Sequence, residues 1–379
     1  WPDLPFRGQH LTLGSGNMPT LPLFKDLIDT LALFKSNTLM LEYDDRFPFE
    51  RHPVLVNPNA LTKDEIRELI AYAAGRYIDI IPLLDSLGHA EHYLKHPEYR
   101  HLAELPGQTA ELCPSNPATL AFIKELWSEI LEVHAGCSHA HITGDEVFRL
   151  DGFCPACRPH AEAGRLGELY TRYYADLSRW ILERGRRPIL WADMAARFPV
   201  ALAQLPREAV MNDWYYQGMD AYRLSTTQAW GHGPVDRTTF AEVPEPLRTR
   251  LAPYLFHAST APDPTPFPYV RFLQDQGFEV IGASASSGHP PQIAASFRDT
   301  ISNNKYFARA VGEAGARGLL CSHWSGHVGI FACLHGVAAG GAYSWHYHDE
   351  PRDAFLDGLQ QVLLRSGRKG GLAQVASIY

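Results

Sequence analysis

The 379-residue chain has few cysteines, no basic run and no long hydrophobic run, and each absence excludes a class of protein. Its 34 Lys and Arg residues are outnumbered by 42 Asp and Glu, so nucleic acid is not a predicted partner. No apolar stretch reaches the ~18 residues that span a bilayer, which excludes a membrane partner. Six cysteines are too few for a disulfide framework and favour a reducing, cytoplasmic compartment.

The composition is otherwise that of a globular protein, with 45% hydrophobic and 20% charged residues. The N-terminal stretch WPDLPFRGQH lacks the charged-then-apolar pattern of a signal peptide. The chain starts with Trp rather than Met, which leaves open whether a leader was removed. One large domain with a C-terminal extension is the expected organisation.

Cysteine spacing indicates one candidate metal site. Cys154 and Cys157 form a Cys-x-x-Cys motif followed by His160, and three such groups could hold zinc with one further ligand from elsewhere in the chain. A disulfide and a surface loop with two thiols are the alternatives. The other four cysteines stand alone in mostly apolar surroundings and are predicted to be buried free thiols: Cys113, Cys137, Cys321 and Cys333.

Short apolar runs rich in β-forming residues alternate with amphipathic helical windows along nearly the whole chain. The predicted strands span residues 10–14, 37–43, 78–85, 139–146, 188–194, 210–216, 279–285 and 318–324. Helical windows such as 22–36, 62–76, 117–135 and 167–185 lie between them. Eight strands, each followed by a helix-sized segment, predict an α/β fold. We expect a (β/α)8 TIM barrel over residues 1–345, with a short C-terminal helical extension over 346–379 packed on it.

Local signals agree with these elements. Thr62 and Glu65 have capping-box spacing at the start of one helix, and Pro117 is predicted at the first position of another. The segment 217–270 is irregular and is either a long active-site loop or the carrier of an extra short strand at 255–259. A doubly wound sheet is the competing architecture, but no glycine-rich phosphate motif follows the first strand.

Polar and aromatic side chains cluster where the predicted strands end. Six of these ends read LEYDD, LLDSLGH, ITGDE, LWADM, NDWYY and SHWSGH. One such end could be a solvated strand terminus, but six in succession make that explanation poor. Because the active sites of TIM barrels lie at the C-terminal ends of the strands, the sequence predicts a catalytic pocket there.

Asp145 and Glu146 stand side by side at the end of the fourth strand, where their charges repel. Adjacent side chains of a strand point to opposite faces, so both can enter the barrel only if the backbone leaves the strand, which Gly144 would permit. We interpret Glu146 as a general acid and base with a raised pKa, and Asp145 as an ionised partner with another task. Neighbouring carboxylates rarely span a glycosidic bond as acid and nucleophile, so a substrate that supplies its own nucleophile fits better.

These motifs resemble those of the β-N-acetylhexosaminidases of glycoside hydrolase family 20. The run HITGDE is similar to the family's His-x-Gly-x-Asp-Glu at the end of the fourth strand, with Thr143 where a second glycine is common. YDDRFPFE resembles an Asp-Asp-x-x-Phe-Pro-Tyr segment after strand two. LLDSLGHAEHY resembles Asp-x-Pro-Gly-His after strand three, with Leu87 in place of the proline, and FRG at Arg7 resembles a sugar-binding arginine. The pattern is most similar to the hexosaminidase-D-like branch.

The resemblance implies an exo-acting enzyme that removes terminal β-linked N-acetylgalactosamine or N-acetylglucosamine through an oxazolinium intermediate, with no cofactor. Glu146 would protonate the departing oxygen, and Asp145 would hold the 2-acetamido group. A relay of His89 and Asp44 would tune the proton affinity of Glu146. The implied substrate-binding residues are Arg7, Trp191, Asp193, Trp214, Tyr215 and Trp324, with Tyr216 as the alternative to Tyr215.

Substrate choice follows less directly from the resemblance. The family often has a glutamate two residues after the last tryptophan to bind outer sugar hydroxyls, and this chain has Gly326 there, flanked by Ser325 and His327. The choice between gluco and galacto sugars therefore stays open, with galactosaminides favoured by the similarity to the D-like branch. Expected partners are glycans that end in N-acetylhexosamine, and a homodimer is one assembly that the sequence allows.

Three alternatives stay open at this point. His139 and His141 on one strand could bind a catalytic metal, as in barrel amidohydrolases, although no second pair of ligands is evident. A barrel that only binds carbohydrate would keep aromatic residues for stacking, but it has no need of a self-repelling acid pair. Double displacement with a nucleophile from the enzyme is the third.

Overall fold

The computed structural model describes residues 1–14, 18–148, 150, 154–198, 201–219, 224–256, 263–287, 296–324, 329–347, 351–365, 367 and 369–376. Its strands are β1 (Phe6–Thr12), β2 (Thr38–Glu42), β3 (Asp79–Leu83), β4 (His139–His141), β5 (Arg187–Trp191), β6 (Val210–Trp214), β7 (Thr227–Ala229), β8 (Gly233–Val235), β9 (Glu279–Ala285) and β10 (Gly318–Ser322). Its α-helices are α1 (Leu21–Leu33), α2 (Lys63–Ala74), α3 (Glu91–Leu94), α4 (Pro117–Val133), α5 (Arg158–Glu162), α6 (Leu166–Leu182), α7 (Asp193–Arg197), α8 (Leu247–Leu255), α9 (Pro268–Asp275), α10 (Phe297–Glu313), α11 (Leu334–Trp345), α12 (Arg352–Leu364) and α13 (Gly371–Ala376). Short 3₁₀ helices span Pro53–Leu55, Pro97–Leu102, Ala201–Gln204, Thr239–Glu242 and Ile330–Cys333.

Eight of these strands close into a barrel in the order β1, β10, β9, β6, β5, β4, β3, β2. Neighbouring strands run parallel, and β1 pairs with both β2 and β10, so the sheet closes on itself. Helices connect successive strands around the outside, as the alternating pattern of the sequence predicts. The prediction of a (β/α)8 TIM barrel is confirmed.

Only β9 has its predicted bounds, and two of the other barrel strands, β1 and β4, differ most from theirs. β1 begins at Phe6 rather than at residue 10, because its first residues pair with β10, a contact between distant parts of the chain. β4 ends at His141 instead of residue 146. The chain cannot continue as a strand there, because Thr143 and Gly144 have positive φ values of 58° and 113°.

The irregular segment between β6 and β9 contains an antiparallel hairpin of β7 and β8, followed by α8. The alternative of an extra strand at 255–259 is wrong for its first residue, Leu255, which is helical. Leu255 is the last residue of α8 and is buried together with Leu251, one helical turn earlier. Residues 257–260 lie outside the described part of the chain.

The predicted helix starts are confirmed. Thr62 caps α2: its hydroxyl accepts from the Glu65 N–H at 3.2 Å, and the Glu65 carboxylate accepts from the Thr62 N–H at 2.8 Å. Pro117 is the first residue of α4, and the Asn116 side chain accepts from the Ala118 N–H at 3.0 Å. Local side chains therefore set where these two helices begin.

Side chains along each strand alternate between the inside of the barrel and the surrounding helical layer. One apolar cluster fills the inside: Phe6, Met40, Ile81, Leu83, Ile189, Trp191, Val210, Tyr216, Ile281, Ala283, Ala285 and Leu320, with Trp214 and Trp324 packed against it. In β2, Met40 belongs to this cluster, whereas Leu39 and Leu41 belong to the larger core between barrel and helices. The alternation therefore tells which residue at each strand end faces the pocket.

The last helices lie after the barrel strands. In α12 the Phe355 ring lies 5.6 Å from the Tyr343 ring of α11. The division of the chain at residue 345 into a barrel and an extension stays a prediction.

Within the described ranges, no helix combines the length and the apolar character that crossing a membrane requires.

Candidate active site

The C-terminal ends of several barrel strands surround a cavity of about 540 Å³. Its lining includes Asp44, Asp85, His89, Asp145, Trp191 and Trp324. These residues lie at the ends of five strands, β2, β3, β4, β5 and β10, and come together only because the barrel closes. The cavity lies at the end of the barrel where the sequence predicts a catalytic pocket.

A tight turn after β4 carries the two adjacent carboxylates. Thr143, Gly144 and Glu146 all have positive φ, at 58°, 113° and 48°. A Cβ at Gly144 would lie 2.7 Å from the Tyr170 hydroxyl oxygen, and that hydroxyl donates to the Gly144 carbonyl at 2.8 Å. Only glycine combines this φ with this close approach, so the interpretation that the backbone leaves the strand here is confirmed.

His89 lies between the two carboxylates. Its Nε2 is 3.4 Å from Asp145 Oδ2 and 3.6 Å from Glu146 Oε2. The preceding residue packs tightly on the same turn, because a Cβ at Gly88 would lie 2.7 Å from the Asp145 carbonyl oxygen. The hydrogen bond to Asp145 raises the pKa of His89 to about 10, although burial opposes the shift, so the imidazole is charged at neutral pH.

Glu146 has the electrostatic surroundings of a general acid. Partial burial and the Asp145 charge raise its carboxyl pKa, and the His89 imidazolium offsets part of that effect. The Glu146 side chain is 41% exposed, so solvent and ligands can reach it. Asp193 positions its backbone, because the Glu146 N–H donates to Asp193 Oδ2 at 2.9 Å. Burial, and then the Asp145 charge, raise the pKa of Asp193 to about 8.

Asp44 pairs with a second buried carboxyl. Burial raises the pKa of Asp44 to about 6 and that of Asp85 well above its usual range, and the two side chains hydrogen-bond to each other. His92 Nδ1 lies 4.0 Å from Asp85 Oδ2. The predicted relay of His89 and Asp44 therefore differs from the observed contacts, in which His89 forms its ion pairs with Asp145 and Glu146.

A buried pair lies deeper in the barrel. His10 Nε2 and Glu42 Oε2 are 2.7 Å apart, which would suggest an ion pair. Burial instead lowers the pKa of His10 to about 3 and raises that of Glu42 to about 8. The contact is therefore a hydrogen bond between a neutral imidazole and a protonated carboxyl.

Aromatic side chains form one wall of the site. The Trp191 and Trp324 rings are 5.5 Å apart, and the Tyr216 ring is 6.3 Å from the Trp324 ring. Trp214 stacks on Tyr216 at 5.2 Å with an interplanar angle of 16°. The structure thus brings the three predicted tryptophans together, and such flat apolar surfaces suit the faces of sugar rings.

Arg7 is not brought to the site. It lies near the N-terminal end of β1, away from the pocket, and alternates with the inward-facing Phe6. Its guanidinium donates to the carbonyls of Lys35 at 2.7 Å and Leu4 at 2.9 Å, and lies 5.3 Å from the Trp345 ring. The expectation of a sugar-binding Arg7 is corrected. The predicted first strand began after Arg7, but β1 includes this residue near its N-terminal end, opposite the end that carries the pocket.

The choice of Tyr215 over Tyr216 as the substrate-binding tyrosine is also corrected. Tyr215 points away from the barrel interior: its ring lies 5.4 Å from the Phe267 ring, and its hydroxyl donates to Gln217 at 3.1 Å. Tyr216 faces inward with Trp214, two residues before it. Strand alternation, applied from Trp214, would have selected Tyr216.

Sequence reasoning missed three site residues that the same alternation could have found. Glu42 is two residues after the inward-facing Met40, and Asp85 is two residues after the inward-facing Leu83. His10 is four residues after the inward-facing Phe6 of β1, a residue that the predicted strand, beginning at His10, left out. Gly326, which stands where the family often has a sugar-binding glutamate, lies outside the described residues together with Ser325 and His327.

The histidines considered for a catalytic metal have other contacts. The His141 ring lies 4.6 Å from the Trp191 ring, and its Nδ1 accepts from the Thr143 N–H at 3.1 Å. His139 Nδ1 is 2.6 Å from the Ser138 hydroxyl. Two groups of potential metal ligands occur in the described part of the chain, and neither includes these histidines.

The predicted thiol site is only partly as expected. Cys154 and Cys157 lie together, but His160 Nδ1 lies 3.7 Å from Glu168 Oε2 and is not in the same group. Cys113 takes its place, with its sulfur 3.5 Å from that of Cys154. The expectation that Cys113 stands alone in apolar surroundings is wrong, because the fold brings two loops together at this point.

Comparison with known proteins agrees with this geometry. The catalytic-domain model of glycosyl hydrolase family 20 matches residues 4–233. Hexosaminidase D from Homo sapiens is 28% identical over 194 residues, which cover 50% of this chain and 40% of the relative. Hexosaminidase D from Bos taurus is 30% identical over 194 residues, with 50% and 56% covered. The chain thus aligns with about half the length of these relatives.

Solved structures show the same fold. The β-N-acetylhexosaminidase from Bacteroides fragilis has a TM-score of 0.67 at 19% identity, covering 97% of this chain and 72% of that one. The exo β-N-acetylglucosaminidase from Vibrio harveyi, solved with N-acetylglucosamine, has a TM-score of 0.67 at 18% identity, covering 96% and 58%. Since the family model spans well over half of the sequence, including Asp145, Glu146 and His89, the chain belongs to glycosyl hydrolase family 20.

Proposed function

We propose that the chain is an exo-acting β-N-acetylhexosaminidase that works by substrate-assisted, retaining hydrolysis. One observation carries the proposal: Asp145 and Glu146 leave the strand on a glycine turn and both contact the imidazolium of His89. Family membership and the names of the relatives agree with this activity.

Glu146 supplies the proton in the first step. Its raised pKa keeps the carboxyl protonated closer to neutral pH, so it can donate to the glycosidic oxygen as the bond to the anomeric carbon breaks. In the second step, the resulting carboxylate accepts a proton from the attacking water. His89 is charged throughout and limits the build-up of negative charge between the two carboxylates.

Asp145 acts on the acetamido group. Its carboxylate accepts a hydrogen bond from the amide N–H and turns the carbonyl oxygen towards the anomeric carbon, which that oxygen attacks. The cyclic oxazolinium ion carries positive charge, and the Asp145 carboxylate stabilises it. Water then opens the ring from the other face, so two inversions give net retention. No nucleophile from the enzyme is required.

The inward-facing aromatic residues complete the proposal. Trp191, Trp214 and Trp324 would contact the sugar face and the acetamido methyl group. Tyr216 replaces Tyr215 as the hydroxyl donor to the acetamido oxygen, because it is the tyrosine that faces the barrel interior. Asp193 acts through the Glu146 backbone that it holds.

Substrate preference, location and assembly stay predictions. Galactosaminides stay the favoured substrates over glucosaminides, as the resemblance of the motifs to the D-like branch implies. Glycans that end in N-acetylhexosamine are the proposed substrates. A cytoplasmic location and a homodimer are the corresponding expectations for the whole protein.

The test compares aryl β-N-acetylgalactosaminide, aryl β-N-acetylglucosaminide and the plain β-galactoside. We expect hydrolysis of the acetamido sugars alone, inhibition by a thiazoline mimic of the oxazolinium ion, and a loss of two to four orders of magnitude in Glu146→Gln, about the contribution of a general acid. The loss should be larger for an alkyl than for a nitrophenyl aglycone, because nitrophenolate leaves without a proton. Glu132→Gln, on the exposed face of α4, is the matched control.

Two results would contradict the mechanism. Equal cleavage of the plain galactoside would show that the acetamide is not the nucleophile. Full activity of Glu146→Gln would show that another group supplies the proton. Turnover of any acetamido sugar would exclude a barrel that only binds carbohydrate, and activity that survives a chelator in wild type would exclude a catalytic metal.

A further inference from the structure

Two loops beside the catalytic pocket meet at a cluster of thiols. Cys113 belongs to the loop after β3, and Cys154 and Cys157 belong to the loop after β4, soon after Glu146. The Cys113 sulfur is 3.5 Å from the Cys154 sulfur and 3.7 Å from the Cys157 sulfur. Three sulfur atoms from two distant parts of the sequence therefore share one small volume.

A carboxylate completes the group. Glu104 Oε2 lies 3.3 Å from the Cys157 sulfur, and one potential ligand atom from each of the four residues lies within 4.8 Å of all the others. Glu104, Cys113 and Cys157 are 1%, 4% and 0% exposed, and Cys154 is half-buried. We term these four residues the thiol cluster, and three of them are closed off from bulk water.

The distances match those of tetrahedral zinc. With zinc–sulfur bonds of ~2.3 Å and a zinc–oxygen bond of ~2.0 Å, the ligand atoms of a tetrahedral site lie about 3.8 Å apart for two sulfurs and about 3.5 Å for sulfur and oxygen. The sulfur–sulfur separations of 3.5 and 3.7 Å and the sulfur–oxygen separation of 3.3 Å come within a few tenths of an ångström. A disulfide needs two sulfur atoms ~2.05 Å apart, and it would leave the third thiol and the carboxylate without a bonding partner.

Charge supports the same assignment. The Glu104 carboxylate accepts from the Cys154 N–H at 3.4 Å and from the Cys157 thiol, and within the described ranges no lysine or arginine forms an ion pair with it. A buried carboxylate without a cation is costly, and a divalent metal would supply the missing charge. The Cys157 N–H donates to the Cys154 sulfur at 3.3 Å, and the Ser115 hydroxyl lies 3.0 Å from the Cys157 sulfur. Such contacts hold the ligands of a metal in place.

We propose that Glu104, Cys113, Cys154 and Cys157 bind one structural zinc ion. Four protein ligands leave no open position for water or substrate, which is the arrangement of a structural rather than a catalytic zinc site. The metal would join the loop after β3 to the loop after β4. The proposal rests on the thiol cluster alone and does not depend on the proposed hydrolase activity.

The metal would also support the catalytic pocket. The segment that contains Glu104 and Cys113 packs beside His89: the Ala90 N–H donates to the Ala110 carbonyl at 3.0 Å, and the Leu112 N–H donates to the Leu87 carbonyl at 2.9 Å. The other two ligands follow Asp145 and Glu146 along the chain. Zinc would thus connect the two loops whose side chains meet in the His89 ion pairs.

The test measures zinc in the whole chain purified without chelator, together with free thiols after denaturation. We expect about one zinc per chain in wild type and in Cys137→Ser, a control that removes a buried thiol outside the cluster. Cys113→Ser and Cys154→Ser should lose it. Glu104→Gln keeps three sulfur ligands and should release zinc to a chelator at least about tenfold faster.

Cobalt gives a readout that needs neither activity nor a variant. Wild type stripped of metal and reloaded with Co²⁺ should show the intense visible bands of a tetrahedral site and thiolate charge-transfer bands in the near ultraviolet. The proposal is overturned if wild type contains no zinc and binds neither ion on titration, or if mass spectrometry finds a disulfide between Cys113 and Cys154. Either result leaves the hexosaminidase assay unaffected, so the two proposals fail separately.

Discussion

Gly144 offers the sharpest test of the turn that places the two carboxylates. In Gly144→Ala the new Cβ would meet the Tyr170 hydroxyl at 2.7 Å, and the residue would have to keep a φ of 113°. The backbone conformation costs about 1–3 kcal/mol for a residue other than glycine. Displacing the Tyr170 hydroxyl from the Gly144 carbonyl costs about 1 kcal/mol more. We expect a loss of about 2–4 kcal/mol in the free energy of unfolding, measured by urea titration.

The kcat/KM of Gly144→Ala should fall by more than the loss of folded protein explains. A relaxed turn would move Asp145 and Glu146 relative to His89, and a displacement of ~1 Å at reacting groups can cost about 100-fold in rate. The kcat/KM on an aryl N-acetylhexosaminide, measured under conditions where the variant is fully folded, reports this effect separately from unfolding.

A second substitution separates the two causes. Tyr170→Phe alone should cost about 1 kcal/mol, since it removes one buried hydrogen bond. In the double variant the clash with the hydroxyl oxygen is gone, so its cost should be smaller than the sum of the two single costs. The reasoning is refuted if Gly144→Ala unfolds within about 0.5 kcal/mol of wild type and keeps its activity, because the turn would then not require glycine.

Three further outcomes are expected. Tyr216→Phe should lower kcat/KM by about 10- to 100-fold while its neighbour variant Tyr215→Phe stays near wild type, since of the two only Tyr216 faces the barrel interior. Steady-state kinetics on one substrate checks both variants. Asp145→Asn removes a charge that raises the pKa of Glu146, so the alkaline limb of the pH profile of its residual kcat/KM should move to lower pH, and a shift to higher pH would contradict this. Thr62→Ala should cost about 0.5–2 kcal/mol in the free energy of unfolding through the lost cap of α2, with kcat unchanged.

The sequence predicted the barrel because the signals for its elements are local. Apolar runs of strand length, helical periodicity and caps such as Thr62 and Pro117 depend on neighbouring residues, and each matches an observed element. Polar residues at successive strand ends likewise marked the pocket, because parallel strands of a barrel all end on one side. These inferences need no knowledge of which distant residues touch.

The sequence-based predictions were wrong where contacts between distant residues, or the alternation of side chains along a strand, determine the position of a side chain. Arg7 was placed before β1, yet pairing with β10 includes it in the strand and leaves its side chain outside the barrel. Tyr215 and Tyr216 differ only by the face on which they lie, which the position of Trp214 determines. Cys113 is far in sequence from Cys154, so no local spacing could have joined them.

The charge of the pocket explains how two adjacent carboxylates are tolerated. Burial raises the pKa of two nearby carboxyls, Glu42 and Asp193, to about 8, so at neutral pH they add little negative charge. Burial also raises the pKa of Asp85 well above its usual range. His89 is charged at the same pH, because its pKa is raised to about 10. The negative charge that faces the pocket is therefore smaller than the count of acidic residues suggests. The carboxylates of Asp145 and Glu146 also lie close to the His89 imidazolium. The repulsion between these neighbours is thereby reduced, while enough of it remains to raise the pKa of Glu146, which is the property that proton donation requires.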